Sequence, residues 1–407
     1  MLKDTGITGR NMMKQLNDMG VFPAALRHLV LTFIFLGISV SVLIYPIRDT
    51  GFVPEVQNGH ISFEDADPMP STNEGFYYSM MNDDMKDIYT TLYNGIYSHR
   101  ESIMIPPSSP EKVKRIFYAV IFDNPELIHL SDYYSYKTDR DGNINVFIPY
   151  YTISMEAASE RIKAINAEVN VIKESTKDMA DYGKELYIHE YLLKKCSYVT
   201  GDNVDGTLYG AIVTGKTNCR GYSAAFSYLL NSCGVKAGQM IGEIESSGKK
   251  EGHSWNFVIL DGEFYYCDIC WDDIKEDDSN GMVPFHYSFF NMTYDELVRT
   301  HDLSNQSIYL FPINGTNNGT YSYMKQNGLY AENCEEAYDI IVEKLGFAKA
   351  SSRPLFIQFR DNRDYEEISS SLDKVLKSAK TDAGIEVSHC RYMKIQKGNT
   401  IIIFGLK

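Results

Sequence analysis

Apolar positions along this chain fall into three kinds of run. One is continuous: residues 29–45, LVLTFIFLGISVSVLIY, carry no charge, and their length is at the short end of what spans a hydrocarbon core. A second kind recurs at three and four residues, the period of an α-helix with one buried face. It predicts helices over residues 82–97 (Met85, Ile88, Tyr89, Leu92, Ile96), 111–121, about 158–172 and 177–195. A further helix follows Asn218, where Tyr222, Ala225, Phe226, Leu229, Leu230 and Cys233 line up on one face. The third kind alternates. Two stretches flank Asp141-Gly142, and HSWNFVIL and EFYYCDIC flank Asp261-Gly262, so each pair predicts a β-hairpin. Pro106, Pro107 and Pro110 interrupt the first helical region. Residues 334–345 and 365–377 read as helices, and residues 355–359, 385–395 and 400–404 as strands, which predicts a β-α-β-β sheet at the C-terminal end.

These elements divide the chain. Residues 1–28 form a cytoplasmic N-terminus, 29–46 a transmembrane anchor and 47–73 a Pro-, Gly- and acid-rich linker. Residues 74–180 are a mainly helical unit, 181–307 the core and 308–407 a small α+β domain, so the fold class is α+β throughout. Lys3, Arg10, Lys14 and Arg27 precede the apolar run, while Asp49, Glu55, Glu64, Asp65 and Asp67 follow it. An excess of cations on the cytoplasmic side then puts the remainder outside the membrane. Cleavage of a signal peptide at Ser39-Val40-Ser41 is the alternative and gives a secreted protein. Apolar residues continue past that site to Tyr45, which favours the anchor.

Composition narrows the choice of partner. With 407 residues, 44% apolar and 13% aromatic, the chain can build buried cores. A formal charge of −15 argues against nucleic acid, whose phosphates need a positive field. Seven cysteines are too few for a disulfide scaffold at this length. Asn291, Asn305, Asn314 and Asn318 begin N-x-[ST] acceptors, which matter only in a glycosylating pathway.

The candidate chemistry lies between Gly215 and Asp273. Asn218 is the natural N-cap of the helix that follows, which puts Cys219 in its first turn. Free N–H groups and partial positive charge at that end favour a thiolate and can hold an oxyanion. Pairing Leu260 with Glu263 across the hairpin sets Trp255 opposite Asp268 and His253 opposite Cys270. His253 and Asp268 then share a face as diagonal neighbours, and a one-residue slip would separate them. Such a carboxylate can orient an imidazole that takes a proton from a thiol. The same register brings Cys270 near the ring and makes an oxidative Cys219–Cys270 link an expectation. His189 reads as a packing histidine. Cys267 and Cys270 form a CxxC, but thiols at i and i+3 of a strand point to opposite faces, and no second ligand pair follows. Neither a metal site nor a disulfide-exchange site is expected there.

NCRGYSAAFSYLLNSCGV followed by HSWNFVILDGEFYYCDICWDD resembles the core of the transglutaminase-like superfamily. Its pattern is C-x-G-[YF]-[SA], then H-x-W-N, then an Asp shortly before W-D-D. The resemblance covers residues 181–302, and the flanks are similar to those of large clostridial-type members. It implies a papain-like fold in which a Cys-bearing helix packs on an antiparallel sheet. Cys219 would be the nucleophile, His253 the base and acid, and Asp268 the orienting carboxylate. The Cys219 N–H would hold the oxyanion with Tyr209 as a second donor, and Asn218 and Trp255 would be neighbours. It further implies acyl transfer from protein or peptide amides through a thioester, without a cofactor. Water as acceptor makes a peptidase or amidase, and a lysine amine makes a cross-linking enzyme. Substrates would be proteins, peptides or cell-wall and surface components outside the membrane. A non-catalytic binding or scaffold module is the alternative. Cys267 and Cys270 depart from the family pattern.

Overall fold

The protein is described here from a computed structural model over residues 75–201, 204–246, 249–274, 285–303 and 315–407. The expected anchor at 29–46 and the linker after it lie outside the described residues. No described helix is long and apolar enough to cross a membrane.

The chain first forms helices α1 (Phe76–Ser79) and α2 (Asp83–Tyr97), strand β1 (Ile103–Ser108) and helix α3 (Pro110–Asp123). Strands β2 (Leu130–Thr138) and β3 (Ile144–Tyr151) and helix α4 (Met155–Thr176) follow. Asn82, Ser109 and Ser154 cap α2, α3 and α4, each accepting a backbone N–H that would otherwise lack a partner. The hairpin at Asp141-Gly142 forms as expected, and β1 adds to it in the order β1-β3-β2. Pro106 and Pro107 sit in β1, an edge strand, where a missing N–H costs no ladder bond on the open side, and Pro110 opens α3 at its first position. The mainly helical unit expected here therefore also holds a three-stranded sheet.

Next come α5 (Asp181–Lys195), β4 (Ser197–Tyr198), a π-helical turn at Gly210–Thr214, β5 (Lys216–Thr217) and α6 (Cys219–Ser232). They are followed by β6 (Ala237–Ser246), β7 (Lys249–Leu260), β8 (Glu263–Cys267), α7 (Ile269–Asp272), α8 (Tyr294–Leu297) and β9 (His301–Asp302). The four longer-range strands make an antiparallel sheet in the order β8-β7-β6-β9. Its alternation is what the sequence pattern predicts. Val258, Leu260, Tyr265 and Cys267 join an apolar cluster with α5 and α6, whereas Trp255, Phe257 and Tyr266 join another with α2 and α3. Two polar contacts lock α6 onto β7: Ser223 Oγ donates to the Trp255 carbonyl at 3.0 Å, and Asn256 Nδ2 to the Ser223 carbonyl at 2.9 Å.

The last elements are α9 (Tyr323–Gln326), β10 (Tyr330–Ala331), α10 (Cys334–Ser351), β11 (Leu355–Phe359), α11 (Asn362–Ser370), α12 (Leu372–Asp382), β12 (Arg391–Ile395) and β13 (Thr400–Phe404). Their sheet runs β10-β11-β13-β12, with β10 parallel to β11. The β-α-β-β arrangement is present, but the second helix breaks at Ser371 and the third strand starts at Arg391 rather than near 385. Residues of α10, β11 and β13 belong to the same apolar cluster as α5 and α6.

Candidate active site

Asn218 has an extended backbone and its Oδ1 accepts from the Arg220 N–H at 3.1 Å, so it caps α6 as expected. Cys219 is the first residue of that helix and is half-buried. The Gly in the C-x-G pattern has a steric reason: a Cβ on Gly221 would lie 1.8 Å from Thr217 Oγ1. The start of α6 thus sits flush on β5, and Arg220 pairs with Asp132 of β2 at 3.1 Å.

The hairpin register holds from Leu260↔Glu263 to Asn256↔Cys267. Beyond that the expectation needs correction. Asp268 does not continue the strand opposite Trp255: its N–H donates to the Phe289 carbonyl, and its Oδ1 accepts from the Trp271 N–H at 3.2 Å. That cap turns the chain into α7, so Cys270 is helical rather than facing His253 across a ladder. The predicted partners still meet. His253 Nε2 lies 2.7 Å from Asp268 Oδ2, and Cys270 Sγ lies 4.0 Å from the same nitrogen. The Cys219 side chain lies beside the same ring.

Electrostatics follow from burial and contact. Burial of His253 disfavours its cation, yet Asp268, with help from Cys270 and Cys219, holds its pKa well above the usual imidazole value. Burial likewise works against the Asp268 anion, but His253 and then His301 hold that carboxyl well below its ordinary range. Burial, followed by the Asp268 charge, pushes the Cys270 thiol up. Trp271 stacks beside His253 at 5.3 Å between ring centroids, and Trp255 at 6.1 Å.

Sequence reasoning missed His301. Its Nε2 is 3.2 Å from the Asp268 oxygen that His253 uses. The signal was faint, a lone His after a turn, 33 residues from the carboxylate it meets. Tyr209 packs against a cation. Its ring lies under the Arg161 guanidinium, at 4.7 Å. The tyrosine beside the trio is Tyr198, whose phenol is pushed up to about 12 by burial and then by the nearby Cys219, Cys270 and Asp268 groups. Pairing of β4 with β5 puts Tyr198 next to Thr217, two residues before the thiol. Trp255 is buried against His301 with ring centroids 4.7 Å apart.

Two further polar groups sit behind the site. His189 is buried, as expected, with Nε2 2.9 Å from Asp272 Oδ2, and His286 Nδ1 is 2.8 Å from the other oxygen. Tyr222 donates to Asp273, so the C-x-G-Y and W-D-D segments are joined directly. Glu185 lies fully buried between Asn291 and Cys267. Asn291 is therefore no glycosylation acceptor in this fold, because its Nδ2 donates inside the core to Glu185 and to the Tyr321 carbonyl. The CxxC premise also changes. Cys267 ends a strand and Cys270 lies in a helical turn, so the two are not i and i+3 of one strand. Their sulfurs meet different groups, Glu185 and Asn291 for Cys267 and His253 for Cys270.

Two groups among the described residues bring potential ligand atoms within 4.8 Å of one another: His253, Asp268 and His301, and Cys334, Asp364 and Glu367. In the first, ring nitrogens and carboxylate already satisfy each other by hydrogen bonds. In the second, Cys334 Sγ is 3.5 Å from Asp364 Oδ1. All seven cysteines are free thiols, Cys219 and Cys270 included.

Residues 169–269 match the family model of the transglutaminase-like superfamily, and this segment is a domain of that superfamily. The matched span contains Cys219, His253 and Asp268. No curated protein matches the chain. Among solved structures, a candidate cysteine protease from Cytophaga hutchinsonii is 11% identical with a TM-score of 0.24, over 34% of this chain and 61% of that one. A candidate protease from Parabacteroides distasonis is 11% identical with a TM-score of 0.21, over 32% and 29%. A structure described as a TGase is 13% identical with a TM-score of 0.25, over 41% and 50%. The chain thus spans less than two thirds of the length of each.

Proposed function

We propose that this chain is a Cys–His–Asp thiol enzyme that moves the acyl group of a protein or peptide amide through a thioester on Cys219. One observation carries the reading: a single buried imidazole, His253, is 2.7 Å from the Asp268 carboxylate and lies beside the Cys219 side chain at the start of α6. The Asp268 charge favours the imidazolium form of His253, so the proton leaving Cys219 has a stabilised acceptor. The thiolate attacks the amide carbon, and the oxyanion forms beside the N-terminus of α6, where the Cys219 N–H can donate to it. His253 then gives its proton to the departing amine, leaving the thioester. Water or a primary amine takes the acyl group, and His253 removes the proton from that acceptor. Tyr198, kept protonated by its raised pKa, joins Tyr209 as a candidate second oxyanion donor.

Alkylation tests the chemistry. On the full-length protein at neutral pH, Cys219 should label faster than the half-buried Cys334 and Cys390, as read by peptide mass spectrometry. His253→Ala should slow Cys219 by about 10²-fold or more, the usual worth of a positioned base. Equal labelling of the three thiols would sink the enzyme reading in favour of a scaffold module. Incubation with a peptide library and an amine donor then sorts hydrolysis from cross-linking by product mass.

The site is further proposed to work outside the membrane. The support is the uncharged run 29–45 with four cations before it and acidic residues after it. Protease added to intact cells should then cleave the region after residue 73. Cleavage only after permeabilisation would overturn this location.

A further inference from the structure

His301 enters the site from β9, a two-residue edge strand whose pairing with β6 sets Ile244↔His301 and Glu243↔Asp302. Its ring is 2% exposed, enclosed by Trp255 and Trp271 with centroids 4.7 Å from each. Nε2 reaches Asp268 Oδ2 at 3.2 Å, and Nδ1 lies 2.9 Å from Thr300 Oγ1. An ionised carboxylate only accepts, so Nε2 must carry a proton. Burial opposes charging of this ring and outweighs the pull of Asp268, so its pKa is lowered. A neutral ring protonated at Nε2 leaves Nδ1 as an acceptor for the Thr300 hydroxyl at 2.9 Å, which also lies 3.3 Å from the Leu297 carbonyl. Asp268 is consequently held at three points: Oδ1 by the Trp271 N–H, and Oδ2 by both imidazoles.

We propose that His301 is a positioning residue for the reaction, fixing the plane of the Asp268 carboxylate while staying neutral so that its charge serves His253. The inference rests on the Cys219–His253–Asp268 reading given above. With His301 absent, Oδ2 loses one of its two donors and the carboxylate can rotate about the Trp271 contact. The Asp268–His253 interaction then weakens, and the imidazolium with it. Charging His301 instead of removing it would place a second cation 5.8 Å, ring to ring, from His253. The groups around the two rings are Asp268 at the start of α7, Cys270 on α7, Cys219 on α6 and Tyr198 on β4. Of these, only Asp268 is an anion at neutral pH apart from a Cys219 thiolate. Below pH 6.5 the titration of His301 should therefore add an acid limb to Cys219 reactivity.

The experiment follows two readouts in full-length protein: the pH dependence of Cys219 alkylation, and the titration of the His253 ring by NMR, assigned with His253→Gln. His301→Phe removes the donor and the titration, whereas His301→Gln keeps an N–H donor near the Nε2 position but cannot titrate. In His301→Phe the His253 midpoint should fall by about one unit, within the range that one carboxylate contact supplies. Alkylation at pH 6 should slow by about tenfold, the rate equivalent of that shift. His301→Gln should stay within about twofold of the parent at neutral pH, with the acid limb below pH 6.5 gone. The proposal is overturned if His301→Phe leaves the His253 midpoint unmoved, or if a folded His301→Gln protein behaves like His301→Phe. Melting curves establish the folded state of each. An unreactive Cys219 in the parent protein would instead remove the enzyme reading, and the His253 titration would still decide the coupling.

Discussion

At the scale of single residues, the site works by unequal treatment of similar groups. Cys219 and Cys270 both lie near His253, but Cys270 is buried and its thiol is pushed up, so it stays protonated at neutral pH. It should alkylate slowest of the three thiols when compared with Cys219 and Cys390. Asp268 is the residue whose charge is irreplaceable. Asp268→Asn keeps the size of the side chain but removes the anion that raises His253, so Cys219 acylation should fall by about 10²–10⁴-fold. The imidazolium should then be lost nearer pH 6.5 than in the parent protein, which a pH–rate profile would read. A profile that keeps its upper limit unchanged would assign the raised His253 to some other group.

Elements place these residues by contacts of a few atoms. Asn218 lies between β5 and α6, and its side chain takes one of the free N–H groups. Asn218→Ala should cost about 0.5–2 kcal/mol in chemical denaturation, with the loss centred on α6. Gly221→Ala should cost more, about 1–3 kcal/mol, because the new methyl has nowhere to go between α6 and Thr217. The same displacement tilts the start of α6 away from His253, so the variant should also label more slowly at Cys219. Gly242 plays a comparable part on β6. It pairs with His253, and a Cβ there would meet the Trp255 ring at 2.6 Å.

For the molecule as a whole, the sheet that carries His253 is covered on both faces, and the C-terminal sheet supports the segment behind the Asp268 carboxylate. Ser288 Oγ donates to Thr400 Oγ1 at 2.7 Å, Gln358 Nε2 to the Ser288 carbonyl at 3.1 Å, and Lys397 lies over Trp271 at 4.1 Å. Phe289, in that segment, receives the Asp268 N–H. Global stability should fall as pH rises, because burial raises Glu185 to about 8 and Asp123 to about 7. Each binds its proton more tightly folded than unfolded. Their contribution is full below the unfolded carboxyl value of about 4 and is lost as pH climbs through the folded values. Glu185→Gln should flatten the dependence of the melting temperature between about pH 5 and pH 8 without abolishing it, since Asp123 remains.

How much of this was legible in the sequence follows from which forces are local. Capping and periodicity act within a few residues, so Asn218, the start of α6 at Cys219 and the hairpin at Asp261-Gly262 could be read directly. The two-residue turn then carried the register as far as Asn256↔Cys267, which brought His253 and Asp268 together on paper. One residue further the prediction failed, because the Asp268 side chain prefers to cap α7 and its N–H finds Phe289, a partner 21 residues away. Cys270 met His253 all the same, by a helical turn instead of a ladder. The sequence by itself determined the start of α6 at Cys219 and the hairpin that brings His253 to Asp268, since each depends on spacing along a continuous stretch. Only the tertiary structure decided that a second imidazole shares the Asp268 oxygen, that Tyr198 stands beside Cys219 and Asp268, and that Asn291 is sealed in the core. Those contacts join segments far apart in the chain, and hydrogen bonds between buried groups become specific only once packing has excluded water.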